Sequence, residues 1–248
     1  MSNAMNIMLL GWWGAFPQPG GACCGVLVQT EEGSLLLDCG CGVLAQYLRF
    51  ASVRDLDGAL LSHLHYDHTS DIGSLFYAVN HGLRTKLRSN KLQVYAPETP
   101  KDLRPMVEYP FAKTTTLYDG MQFELAGLSI TAMRVHHTVE CYAFRLERGG
   151  KSFVYLTDTS YFPESSAFIQ GADLLLCEAT ISLGTRHTIG DGHMTDLEAG
   201  ITAREGNAKA LCLYHLPSDG DLELMRRRAA EEFGKEVMTP DIQRVFSL

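Results

Sequence analysis

Apolar residues in the first half of the chain fall in short unbroken blocks: "NIMLLGWW" from residue 6, "CGVLVQT" from 24, "SLLLDCG" from 34 and "GALLSH" from 58. Such runs are too short for core helices and too continuous for strands with one wet face, so they predict strands buried on both sides. Between the third and fourth, "VLAQYLRFA" reads as a helix. After residue 70, "IGSLFYAVNHGL" sets Ile72, Leu75, Phe76 and Val79 at helical spacing. "LQVYAP" is a further strand ended by proline. The proline-rich "PETPKDLRPMVEYP" predicts a loop with a short helix, placed as a lid or an edge insertion.

The second half repeats the grammar. "MQFELAGLSITAMRV" and "CYAFRLERGGKSFVYLTDT" alternate as hairpin strands, with Gly149 and Gly150 at the turn. "ADLLLCEAT" is a short buried strand. "MTDLEAGITAREGN" predicts a helix with Thr195 or Asp196 at its N-cap, and "AKALCLYH" returns as a strand. Near the end, "DLELMRRRAAEEF" predicts an amphipathic helix with Leu222, Met225, Ala229 and Phe233 on one face and its arginines as a solvated flank.

Five of these apolar runs stop at a residue able to bind metal or orient a ligand: Asp38, His63, Asp158, Glu178 and His215. The carboxyl ends of buried strands are where layered α/β proteins place their sites. A site drawing on residues from 38 to 215 ties both halves together, which predicts one domain over 5–248 behind an expression scar at 1–4.

The densest chemistry lies at 61–73, "LSHLHYDHTSDIG". An extended stretch sends residues two apart to the same side, so His63 and His65 can hold one cation. Asp67 and His68 follow at the bend into a helix beginning near Thr69, facing a second cation. Imidazoles with few carboxylates suit zinc, while manganese, iron or cobalt fit the same ligand types. Partners must come from farther along: His136 or His137, Asp158 and His215. His81 and His187 read as ordinary histidines of a helix and a loop.

Composition narrows the partners. A net charge of -8 argues against a broad footprint for nucleic acid or anionic membrane. No apolar run reaches the roughly 18 to 20 residues of a bilayer span. Seven cysteines, most of them in strand-like runs, read as reduced core thiols of a cytoplasmic protein.

"SHLHYDH" matches the H-x-H-x-D-H motif of the metallo-β-lactamase superfamily, and the later His, Asp and His occur in that superfamily's order at strand ends. From "LLGWWGAFPQPGG" onward the chain resembles that superfamily. The resemblance implies an α/β fold, a four-layer αββα sandwich of mixed sheets with a dinuclear metal site at one edge. It implies two divalent ions, zinc foremost with manganese or iron as alternatives. His63, His65 and His137 would hold one, Asp67, His68 and His215 the other, and Asp158 would bridge them. His137 is favoured over His136 because "TVECYAFR" resembles the pattern after the family's third histidine. Asp38 resembles a buried aspartate supporting the histidine loop.

Within the superfamily, "GDGHMTDLEAG" resembles the segment of the tRNase Z and phosphodiesterase branch that carries a histidine at the scissile phosphate. His193 is then the general acid and Asp67 orients or deprotonates the attacking water. Glu178 resembles the acidic strand end preceding that segment. Two divalent ions, neutral imidazoles and two carboxylates leave a formal charge of about +2, which favours a small anionic substrate. True tRNase Z carries a long arm between the third histidine and the bridging aspartate, where this chain has one hairpin. The implied reaction is hydrolysis of a small phosphodiester (cyclic nucleotide, cyclic phosphate or short oligonucleotide) by a metal-activated hydroxide. Extended nucleic acid is not expected, and a homodimer is left open. The alternatives are a lactone, thioester or β-lactam hydrolase of the same fold and a non-catalytic, metal-stabilised binding module. An oxygen-reducing diiron centre fits less well, because those relatives carry glutamate where His65 stands and a flavin domain that is absent here.

Overall fold

A computed structural model describes residues 4–182, 192–242 and 244–248. Residues 1–3 of the expected scar, His187 and part of the glycine-rich loop before His193 lie outside them. Two seven-stranded sheets face one another. The first contains β1 (Asn6–Gly11), β2 (Gly25–Gln29), β3 (Ser34–Leu37), β4 (Gly58–Leu60), β5 (Leu92–Ala96), β6 (Ala112–Thr116) and β14 (Val245–Ser247), in the order β14-β1-β2-β3-β4-β5-β6. The second contains β7 (Gln122–Leu125), β8 (Leu128–Arg134), β9 (Tyr142–Arg148), β10 (Lys151–Leu156), β11 (Leu174–Glu178), β12 (Leu211–Tyr214) and β13 (Val237–Met238), in sequence order. In each sheet antiparallel pairing gives way to parallel pairing, at β3–β4 and at β10–β11.

The unbroken apolar runs are explained by alternation between two interiors. Leu35 and Leu37 enter the core between the sheets, whereas Leu36 packs under the outer helices. Leu174 and Leu176 likewise face inward, while Leu175 and Cys177 face the other helical layer. The outer layer on the first sheet is α1 (Val43–Phe50) and α3 (Ile72–Arg84), the latter burying Ile72, Leu75, Phe76 and Val79 as its spacing predicts. On the second sheet lie α4 (Ser165–Ile169), α5 (Asp196–Glu205) and α6 (Leu222–Phe233). The result is the four-layer αββα sandwich that the motif implied.

Several local expectations need correction. The helix after the histidine cluster does not begin near Thr69: a one-turn helix α2 (Tyr66–Thr69) already contains Asp67 and His68. The proline-rich segment carries the short helix expected, Arg104–Val107, and joins β5 to the edge strand β6. It folds beside α3, buries Val107, and is pinned by Arg104 donating to the carbonyls of Ala96 and Pro97. The arginines of α6 are not all solvated flank, since Arg228 approaches the buried carboxylate of Asp196 on α5 at 3.5 Å. Strands β6 and β14, which the apolar pattern did not mark, close the edges of the first sheet. All seven cysteines are free, and only Cys41 is exposed. Among the described residues no helix is long and apolar enough to cross a membrane.

Candidate metal centre

The strand ends meet at one rim of the sandwich, and the backbone turns there in an unusual way. Asp38 after β3, Asp158 after β10 and His215 after β12 all have positive φ, at 56°, 32° and 47°. Left-handed geometry costs a non-glycine residue about 1–3 kcal/mol and persists where surroundings enforce it. Here it turns each side chain from the strand into the shared rim. Hydrogen bonds between the sheets hold that rim closed: Tyr142 N–H donates to the Ser62 carbonyl, Tyr214 Oη to the Gly11 carbonyl, and Gly25 N–H to Tyr214 Oη.

Two sets of donor atoms result. His63 Nε2 lies 3.0 Å from His65 Nδ1, which lies 3.2 Å from His137 Nε2. Beside them, His215 Nε2 is 3.2 Å from Asp67 Oδ2, and His68 Nε2 is 3.7 Å from the same oxygen. Asp158 stands between the sets: Oδ2 is 3.6 Å from His63, 3.8 Å from His137 and 3.3 Å from His215, while Oδ1 is 3.3 Å from His68. An ion about 2.0–2.1 Å from nitrogen donors spaces its tetrahedral neighbours about 3.3 Å apart, so these gaps are those of donors around a common centre. His68 Nε2 is buried and has no hydrogen-bond partner although Asp158 is near, as expected of a nitrogen aimed at an ion. The residues present fit the ligation of a divalent cation.

Three of the imidazoles are held in the neutral form that fit requires, while the carboxylates around His68 favour its protonated form. Burial lowers the imidazoles of His63, His65 and His137, keeping them in the neutral form that donates a lone pair. Burial would also lower His68, but Asp158, Asp38 and their neighbours raise it well above its ordinary value. Burial acts to raise Asp67 and Asp158, yet the facing histidines hold both carboxylates below their usual range.

An outer ring of partners orients the imidazoles. His68 Nδ1 meets Asp38 Oδ2 at 2.7 Å, His63 Nδ1 meets Ser62 Oγ at 3.0 Å, His137 Nδ1 meets the Gly192 carbonyl at 2.8 Å and His215 Nδ1 meets Thr180 Oγ1 at 2.6 Å. Each contact turns the other ring nitrogen toward the centre. Asp38 also accepts from Ser62 N–H, Ser62 Oγ and Tyr155 Oη. Tyr155→Phe removes one of those donors while the ring still fills its space. The expected outcome is about tenfold weaker metal binding, at the low end of the roughly 10–100-fold effect of outer partners, measured by competition with a chromophoric chelator.

His193 lies beside this centre, its ring 5.0 Å from His137 and stacked 5.3 Å from His215. Its Nδ1 is 3.1 and 3.2 Å from the two oxygens of buried Glu178. Burial alone would lower this imidazole, but Glu178 lifts it to about 9. His136 sits outside the set, exposed and packed on Phe162. His81 lies on α3, away from the rim. Sequence reasoning missed Thr180, whose Oγ1 donates to Glu178 at 2.7 Å, although "CEAT" places it two residues beyond a marked strand end. It also missed the backbone N–H of Ala15, 2.9 Å from Asp67 Oδ2, and Gly14, where a Cβ would sit 2.6 Å from the His215 ring. Nothing in the residue types of the 11–21 loop announces either contact.

The model for the beta-lactamase superfamily domain matches residues 34–216, three quarters of the chain and every residue of the two donor sets. The chain belongs to the metallo-β-lactamase superfamily. Among its relatives is the probable metallo-hydrolase YhfI of Bacillus subtilis, 34% identical over 234 residues that cover 94% of this chain and 96% of that one. The crystal structure of that metallo-β-lactamase fold protein superposes with a TM-score of 0.94 at 32% identity, covering 99% and 100% of the two chains. Ribonuclease Z of Halorubrum lacusprofundi is 25% identical over 299 residues, covering 96% and 95%. A diphosphatase from the PhnP family has a TM-score of 0.78 at 20% identity, covering 99% and 97%. The chain is therefore a metallo-β-lactamase fold protein whose neighbours include a probable metallo-hydrolase and ribonuclease Z.

Proposed function

We propose that the protein hydrolyses a small phosphodiester with two divalent ions, zinc foremost. The observation that carries this reading is the His193–Glu178 pair placed against the seven-residue donor set. Two ions at such a site supply a solvent nucleophile at neutral pH and offset negative charge on a phosphoryl group. Asp67 then orients the attacking water, with its Oδ2 steadied by the Ala15 N–H. His193, its Nδ1 held by Glu178, presents Nε2 to the departing oxygen and delivers a proton there. Thr180 joins this pair to the centre: with Nε2 of His215 facing Asp67 and Asp158, Nδ1–H donates to Thr180 Oγ1, which donates to Glu178. The chain of donors runs one way, fixing the tautomer of His215 and leaving Glu178 an acceptor for His193 Nδ1–H.

A small substrate follows from what flanks the site. Between His137 and Asp158 there is only the β9–β10 hairpin, turned at Gly149–Gly150, with no arm to grip a folded RNA. The cleft over the centre has a volume of about 580 Å³, within the about 300–1,000 Å³ usual for small-molecule sites. The test is a hydrolysis panel on metal-loaded protein: bis-p-nitrophenyl phosphate, cyclic nucleotides, RNA ends, lactones and thioesters. Diester turnover that disappears with a chelator and returns with zinc or manganese is the expected result. Turnover confined to lactones or thioesters would replace this reading with that of an acyl hydrolase. No turnover of any class by protein shown to hold two metals would leave a binding module.

A further inference from the structure

The inner half of the cleft is occupied by the donor set, but its outer half has a different chemistry. Besides the donor set and its partners, Phe16, Ile181, Pro217 and Asp219 line the cleft. No lysine or arginine is among the described residues that line it. Phe16 is 56% exposed, an aromatic left open to solvent where it lines the cleft. Its position is nonetheless determined by the centre itself. Gly14 N–H donates to the Leu216 carbonyl, Ala15 has a φ of 61° and donates to Asp67, and Phe16 N–H returns to the Gly14 carbonyl. The two residues before Phe16 are thus tied to the segments that carry His215 and Asp67, which fixes the Phe16 backbone beside the centre.

We infer that the outer cleft is a nucleoside subsite, in which Phe16 stacks on the base of a mononucleotide whose phosphate lies at the metal centre. An exposed aromatic in a lining that also holds the apolar Ile181 and Pro217 suits a planar ring, and base–aromatic stacking does not demand a particular base. Asp219, at the exposed rim, is an acceptor for sugar hydroxyls, the role acidic residues take beside ribose. Its charge disfavours a second phosphate there. Polynucleotide binding runs the other way, through lysine and arginine along the backbone. This assignment rests on the phosphodiesterase reading for the phosphate but on Phe16 alone for the base.

The experiment measures binding of adenosine 5′-monophosphate, ribose 5-phosphate and inorganic phosphate to the metal-loaded protein by calorimetry. The monophosphate is expected to bind at least about tenfold more tightly than ribose 5-phosphate, within the range that alanine substitution of stacking aromatics removes. Phe16→Ala should erase that advantage and leave inorganic phosphate bound as before, while Phe16→Tyr should preserve it. Thermal melting checks that both variants fold, which the exposure of the ring favours. Equal binding of the two sugar phosphates would overturn the subsite, as would a preference that survives Phe16→Ala. Failure of the phosphodiesterase reading looks different: no diester is hydrolysed and none of the three phosphates binds. Adenosine against ribose then still reads the stacking platform, with preference for adenosine supporting it and equal binding sinking it.

Discussion

Replacing His193 with alanine is expected to lower turnover of an alkyl phosphodiester by about 10²–10⁴-fold, the usual contribution of a positioned acid, with bound metal unchanged. The imidazole belongs to neither donor triad; it stands over both, held by a carboxylate that is itself fully buried. Removing it takes away the proton for the departing oxygen and leaves His63, His65, His68, His137 and His215 in place. The leaving group supplies the decisive control. A p-nitrophenolate departs without needing a proton, so bis-p-nitrophenyl phosphate should lose far less than a cyclic nucleotide. Equal losses on both substrates would remove the proton-donor role. A purely structural role at the entrance of α5 predicts lost stability instead, yet Thr195 and Glu198 already cap that helix reciprocally. Little change in melting temperature is therefore expected.

Asp158→Asn should reduce bound metal from two ions per chain to one or none. Turnover should fall by more than the roughly 10–100-fold carried by outer partners. The carboxylate faces both triads at once, with Oδ1 toward His68 and Oδ2 toward His63, His137 and His215. An amide keeps the shape but has one acceptor oxygen and no charge, so it cannot serve two cations. Elemental analysis of protein refolded or expressed with excess zinc gives the stoichiometry directly. Two ions retained at wild-type affinity would show that the sets do not share Asp158. Thr157 Oγ1, which donates to Oδ1 at 2.6 Å, would remain to hold the side chain in place, so the variant isolates charge from position.

Much of this centre could be read from residue order, because its parts are local. His63 and His65 are two apart on extended chain with Asp67 and His68 just beyond, and Asp158 and His215 terminate apolar runs, so this chemistry and its strand ends were legible together. The helix boundary was misplaced for an equally local reason: nothing in "YDHT" separates a bend from one turn of helix, and the turn is held by Ser70 and Thr69 bonding back to Tyr66 and His65. Strands β6 and β14 escaped notice because edge strands with one exposed face lack the continuous apolar pattern. Arg228 was read as solvated since its buried partner Asp196 sits on another helix.

The residue types and their spacing determined by themselves which side chains offer nitrogen and oxygen to a metal, and that strands buried on both faces would carry them. Only the packing of one sheet on the other decided that His137 and not His136 meets His65. The same packing turned Tyr155 toward Asp38, put Thr180 between Glu178 and His215, and brought the 11–21 loop over the cleft. Donor chemistry is a property of each residue and travels with it along the chain. Distances of about 3 Å between residues as far apart as 67 and 215 exist only when the intervening chain has folded into layers and the core has fixed their separation.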